Sequence, residues 1–448
     1  MADDRRDALG LSPRTRRILT LALPIVGGMV SQTILNLVDT AMVGALGAAA
    51  LAAVGIASFT NFMLQALATG LSSGVQAIAA RRLGEGRVKE TAAPLNGGLI
   101  LAIGFAVPWS ILFFHLAPAI LQRLIQDPEV LLIAVPYLQA RVVGIVGVGM
   151  NFAFRGYWNG INRSSLYMRT LVAMHAINIV LNYILIFGKL GAPALGAVGA
   201  GIATTIATFV GSAYYLYLGF KHARKSGFLR SIPPVTEMRT ITWVAGPASV
   251  QSLFFAAGFT ALFYIVGLIG TDELAAANVL VNVAMTMVLP GLGLGIAAGS
   301  LVGQALGAGD AADAKRWGWD VARLTFLILA LIGLPIMLFP EPILSVFLHE
   351  EATIEVARRP LILVGAITAL DGIGIVLLSA LQGAGDTRRP ALVSVGLQWG
   401  VTLPLALFMA ISGYGLLAVW VVAGATRLVQ AVIFAAIWHR GRWATIKV

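Results

Sequence analysis

The sequence predicts an all-α polytopic membrane protein whose twelve transmembrane helices form two pseudo-symmetric six-helix lobes, parallel repeats around a central cavity. Three observations predict it. Of the 448 residues, 58% are hydrophobic and 11% charged. Apolar runs of about 20 residues, long enough to cross a bilayer, recur along the whole chain. The second half also repeats the first at a fixed shift.

The apolar segments place spans near 18–44, 50–79, 91–115, 131–154, 166–188, 195–220, 241–270, 274–304, 319–340, 357–384, 390–411 and 414–438. Of the 31 Lys and Arg, 24 fall in the tails or at connectors after even-numbered spans, and 4 fall at connectors after odd-numbered spans. Arg141, Arg323 and Arg427 lie within spans. The positive-inside rule then places both termini in the cytoplasm of an inner-membrane protein. The net charge of +11 expresses this bias and suits anionic lipid, so no nucleic-acid partner is expected. With no Cys, disulfides and thiol catalysis are excluded. The opening MADDRRDALGLSPRTRR carries charges of both signs, and no removable signal peptide is expected.

A shift of 223 residues lays Pro24 on Pro247, Gly44 on Gly267, Gly47 on Gly270, and the LG-x-G turn at Leu83–Gly86 on that at Leu306–Gly309. From Pro24 to Gly86 the alignment runs ungapped with 12 identities, and the same shift pairs Gly160 with Gly383. A shift of six spans preserves membrane orientation, so the lobes are expected to be parallel repeats. The expected organisation is an N-tail over 1–17, an N-lobe over 18–220, a cytoplasmic linker over 221–240, a C-lobe over 241–438 and a C-tail over 439–448. Two such lobes around a midplane cavity suit transport by alternating access.

Of twenty acidic residues, only Asp39 and Asp371 sit deep inside spans. A carboxylate there costs at least a few kcal/mol, which marks ion or proton handling. The repeat does not conserve them: Asp39 aligns with Leu262 and Asp371 with Val148. Pro24 removes one helix hydrogen bond, and Gly27 and Gly28 follow it, so the first span carries a hinge below Asp39. Asn178 and Asn182, four apart, share a helix face, with His175 one turn earlier. No HExxH, GxSxG or Walker A pattern appears, and neither enzyme activity nor a bound cofactor is expected.

The first-span Pro with VDTAMVG, then LGAAALAAVG, RRLGEG, GQALGAGD, NGINRSS, LQGAGDTRRP and NIVLNYILIFG followed by LGAVGAGIAT, together resemble the multidrug and toxic compound extrusion (MATE) transporters, particularly the DinF-like branch. The resemblance covers residues 15 to 440. It implies secondary active efflux of organic, cationic or amphipathic compounds in exchange for H⁺, with Na⁺ as the alternative ion. It also implies that Asp39, Asn178, Asn182 and Thr204 form the cation-coupling group. Asn182 stands where some members have Asp, leaving one carboxylate, a poor cage for Na⁺; weak Na⁺ binding at Asp39 is the alternative to no metal at all. Asp371 resembles a tenth-span acid of the NorM-like branch and is the secondary candidate, with Phe255 where that branch has a Glu. Gln32, Asn36, Asn151, His175, Phe255 and Met285 are expected to line the substrate cavity. The expected partners are small organic substrates and membrane lipids, and the expected state is a monomer. A lipid-linked oligosaccharide flippase of the same superfamily is the alternative; it calls for several basic side chains facing the cavity, for which only Arg141, Arg323 and Arg427 offer themselves.

Overall fold

The computed structural model describes residues 12–446 and 448; most of the expected N-tail, residues 1–11, and position 447 of the C-tail lie outside them. Among the described residues eleven helices are long and apolar enough to cross a membrane, and a bent pair supplies a twelfth. In chain order they are α1 Pro13–Gly44, α2 Ala48–Gly84, α3 Ala93–Leu124, the pair α4 Pro128–Val143 and α5 Ile145–Gly160, α6 Ser164–Phe187, α7 Gly196–His222, α8 Val235–Gly267, α9 Thr271–Gly307 and α10 Ala311–Leu338. A short α11, Pro340–Leu344, precedes α12 Glu351–Gly383, α13 Arg388–Leu397, α14 Leu403–Ile411 and α15 Gly415–Arg440. Each expected span finds its helix, and most helices run several residues past the apolar stretch.

The two irregular spans have local causes. Between α4 and α5 the axis turns by 43°. There the Gly144 N–H bonds Arg141 O at 3.0 Å, a tightened i−3 turn, and a Cβ on Gly144 would stand 3.0 Å from Thr205 Oγ1. Between α13 and α14 the chain makes a π turn over Gln398–Thr402. Pro404 has no N–H to give and would clash with the carbonyl of Gly400 in a regular α-helix, so the ladder widens. Thr402 Oγ1 follows the wider turn by donating to Leu397 O, five residues back, at 3.1 Å.

The structure divides into two compact units, and the boundaries run inside helices. One unit is Gly27–Ser252; the other comprises the described residues up to Val26 and those from Leu253 onward. The cuts fall two residues after Pro24 in α1 and five after Pro247 in α8, the repeat-related prolines. In the first unit the start of α8 is an integral part: Ile241 and Val244 are fully buried, and Ser249 Oγ donates to Leu67 O at 2.6 Å. In the other unit the start of α1 is equally embedded, with Ile18, Leu21 and Ala22 in one core with α9, α10, α12 and α15. The connector over 221–240 packs on the first unit. Buried Asn96 of α3 donates to Gly227 O at 3.0 Å and accepts from Leu229 N at 2.9 Å, while Phe228 packs against Phe154 and Phe220. The unit boundaries thus differ from the expected lobe limits at 220 and 241, because the first turns of α1 and α8 bury their apolar faces in the half of the chain that does not contain their own ends.

The repeat is visible in the packing. A Cβ on Gly160 would run into Gln76 O, and one on Gly383 into Gly299 O. Both members of the first pair map onto the second at the 223-residue shift, so the glycines permit the same close helix approach in each half.

Candidate functional site

Within the Gly27–Ser252 unit, α1, α6 and α7 bring the four expected coupling residues together. Asn178 and Asn182 point from one face of α6 and are 1% and 0% exposed. Asn182 Nδ2 donates to Asp39 Oδ1 at 2.6 Å. Asn178 lies between this pair and α7. With its amide turned so that donors face acceptors, Nδ2 is 3.2 Å from Asp39 Oδ1, and its oxygen accepts from Thr204 N at 3.2 Å and Thr204 Oγ1 at 3.1 Å. In the opposite orientation the Asn178 oxygen accepts from Asn182 Nδ2 at 3.1 Å. Both arrangements keep the four side chains in one chain of contacts, and in the second Thr204 Oγ1 is satisfied by Ala200 O at 2.9 Å. Asn182 Oδ1 is buried and has no partner among the described residues.

A charge that sequence reasoning noted without placing belongs to this group. Arg141, in the last turn of α4 just before the bend, acts on Asp39 through its charge, and its Nε is buried without a hydrogen-bond partner. The signal for it was partial: Arg141 is a basic residue inside an apolar span, but nothing in the sequence joins it to Asp39.

One turn nearer the start of α6, His175 is 3% exposed and gripped by α1. Its Nε2 donates to Gln32 Oε1 at 3.0 Å, which leaves Nδ1 to accept the Ser31 hydroxyl at 2.7 Å. Gln32 Nε2 continues to Asn36 Oδ1 at 3.0 Å. A polar ladder thus runs up α1 from Ser31 to Asn36, three residues short of Asp39. Below it Gly27 and Gly28 let α1 approach α6, since a Cβ would stand 3.0 Å from Met168 Sδ at the first and 3.0 Å from Leu171 Cδ1 at the second. Gln32 and Asn36 are exposed, whereas His175 is a buried brace. Asn151 also braces: Nδ2 donates to Thr208 O at 3.3 Å and Oδ1 accepts from Ser212 Oγ at 2.9 Å, both on α7.

In the other unit Asp371 of α12 meets Arg427 of α15, Nη1 to Oδ2 at 2.8 Å. Both residues stood out in the sequence as charges within spans, but nothing there joined them. Phe255 and Met285 are 40% and 36% exposed. Phe255 stacks edge-on against Phe259, and its carbonyl accepts from Gln398 Nε2 at 3.4 Å.

The MatE family model matches the chain twice, over residues 24–184 and 247–408. Together these stretches take in well over half the chain, and their starting points are the two prolines set 223 residues apart. The chain belongs to the MatE family. Curated relatives of this MatE chain include a probable multidrug resistance protein NorM from Thermotoga maritima, 26% identical over 96% of this chain and 93% of that protein. A multidrug resistance protein NorM from Burkholderia vietnamiensis is 29% identical over 89% of this chain and 88% of its own. Among solved structures, the outward-facing conformation of a multidrug resistance MATE family transporter of the MOP superfamily superposes with a TM-score of 0.89 at 23% identity, covering 97% of both chains. A MOP superfamily transporter from Pyrococcus furiosus gives 0.88 at 23% identity over the same share. These likenesses show the MatE fold, with its two lobes.

Proposed function

We propose that this chain is a secondary active exporter of organic, cationic or amphipathic compounds, driven by proton entry at Asp39 and belonging to the DinF-like branch of its family. The observation that carries the reading is the donor set around Asp39: one carboxylate, two neutral amides and a hydroxyl, with no second acid. The multidrug resistance names of the curated relatives support the substrate class.

The geometry accommodates both charge states of the acid. Ionised, Asp39 accepts from Asn182 Nδ2 at 2.6 Å. On protonation, rotation of the Asn182 amide brings its unpartnered Oδ1 to the same place to accept the new O–H, and Asn178 Nδ2 then faces an oxygen in place of a donor. Proton binding is thereby converted into a change of hydrogen-bond direction along α6, from Asp39 through both amides to Thr204 on α7. A Na⁺ at this place would meet a single negative charge, that of Asp39, and otherwise neutral amide and hydroxyl oxygens.

The deciding experiment is dye efflux from proteoliposomes with imposed gradients. Efflux is expected to follow ΔpH at zero Na⁺ and to stop when ΔpH is collapsed; persistence after collapse together with a strict need for Na⁺ would reject proton coupling. The reading also places both termini in the cytoplasm, with the connectors near Gly47, Leu190, Thr271 and Gly413 outside. Reporter fusions should report Ser226 and the C-terminus as cytoplasmic, and a periplasmic signal from either refutes that orientation.

A further inference from the structure

The two intramembrane acids are satisfied in opposite ways. Asp39 takes its hydrogen bonds from neutral amides, with the Arg141 charge acting on it without a bond, whereas Asp371 is bonded directly by a guanidinium. Among the described residues the Arg427 contact is a single one, Nη1 to Oδ2, and the second Asp371 oxygen and the remaining Arg427 nitrogens make no hydrogen bond there. The Asp371 side chain is 14% exposed and that of Arg427 38%, so the guanidinium lies nearer the open surface than the carboxylate it covers. The polar side chains flanking Arg427 on α15 are neutral and already engaged: Thr426 with Thr402 at 2.9 Å and Gln430 with Ser394 at 2.8 Å. Trp399 of the π turn spends its N–H on Phe254 O at 3.2 Å.

We infer that Arg427 is a tethered counter-cation, whose guanidinium occupies the place at Asp371 that a free inorganic or organic cation would otherwise take. A desolvated carboxylate needs one compensating positive charge. Arg supplies it permanently, because its guanidinium does not lose its proton in proteins. A free cation must immobilise itself to bind, while Arg427 is already held by α15 and competes at an effective concentration in the millimolar range or above. Asp371 is therefore closed to free cations for as long as the pair holds. Arg427 thereby sets the charge selectivity of this unit of the protein. The inference also reassigns the cost of losing Asp371: the variant suffers because it strands Arg427 as an uncompensated cation.

The inference rests on the efflux reading only in taking organic cations as relevant ligands, so its test uses binding and stability. Methylguanidinium and tetraphenylphosphonium serve as probes on the purified full-length protein in lipid nanodiscs, at fixed pH and ionic strength. Arg427→Gln should acquire a saturable methylguanidinium site at least about tenfold tighter than anything in the parent, seen both in equilibrium binding and as a rise in melting temperature. Asp371→Asn/Arg427→Gln should lose it, and Arg427→Lys should stay closed. Arg427→Gln folded but without the new site, or a new site that survives in the double variant, overturns the inference. If Arg427→Gln yields no folded protein, the double variant decides. Having no stranded charge it should fold and melt near the parent, and its failure to fold would show that the pair does more than neutralise. Absence of ΔpH-driven efflux in the parent would sink the transport reading and leave this binding test intact.

Discussion

Asp39→Asn is expected to abolish coupled efflux, reducing it to the level of empty vesicles, while the protein still folds and binds part of its substrate. Asn has the shape of a protonated Asp and keeps an oxygen for Asn182 Nδ2, but it cannot release a proton, so the cycle is frozen on one side. No cavity is made, and removing a costly charge from among buried helices should, if anything, raise the melting temperature. Asp371→Asn should reduce efflux only in part, because it disturbs a closed ion pair and leaves the proton-carrying group untouched. The two variants must be compared at equal reconstituted protein with ΔpH as the sole driving force. Full activity in Asp39→Asn, or complete loss only in Asp371→Asn, would move coupling to α12 and discard the scheme of amide reversal on α6.

The legible part of this site was local. Asn178 and Asn182 share a face because of helix periodicity alone, and an acid in the middle of an apolar run declares itself by its cost. Asp39 could thus be found without coordinates, and the family resemblance supplied the partners that the structure places within hydrogen-bond reach. The Asp371–Arg427 pair was not legible, since its members stand 56 residues apart on α12 and α15 and no spacing rule links them. Arg141 lay hidden for the same reason. His175, expected in a cavity wall, is buried, because Ser31 and Gln32 of α1 absorb both of its ring nitrogens.

The fold was legible to the level of spans, and for a physical reason. A bilayer demands about 20 apolar residues per crossing and charges between them, so composition alone sets the count. What composition does not register is which core a helix end joins. Residues 221–240 have the charge and proline content of a free linker, yet Asn96 and a buried Phe228 pin them to the Gly27–Ser252 unit. The unit boundaries at Val26 and Ser252 instead follow prolines buried in apolar sequence, where nothing in composition changes. The π turn at Gln398–Thr402 was similarly silent, although Pro404, set against the carbonyl of Gly400, is its local cause.

The two helices cut by those boundaries are anchored at their starts by charges in repeat-related positions, Arg14 and Glu237, and the structure predicts that one anchor matters far more for stability. Glu237 of α8 pairs with Arg82 of α2 at 2.8 Å, with side chains 10% and 14% exposed. The contact is one of charge and not an aligned N–H, since Glu237 Oε1 is buried without a formal hydrogen bond. Arg14 of α1 bridges Asp313 and Asp320 of α10, both at 2.6 Å, and lies 3.6 Å over the Trp317 ring, but all three charged side chains are about one-third exposed. Removing one member of a buried pair strands the other, at about 3–5 kcal/mol; an exposed, screened pair contributes about 1 kcal/mol or less. Arg82→Ala should therefore lower the unfolding midpoint in detergent far more than Arg14→Ala. Arg82→Met/Glu237→Leu, which strands nothing and refills the volume, should recover most of the loss. Its recovery shows that the loss in Arg82→Ala comes from what that variant leaves behind and not from the worth of the ion pair itself, because the double variant also removes the ion pair. A midpoint for Arg82→Ala equal to the parent, or a larger drop for Arg14→Ala, would mean that the start of α8 is held by Ile241, Val244 and their apolar neighbours alone, and that the Glu237 charge finds enough water at the end of α2 to need no partner.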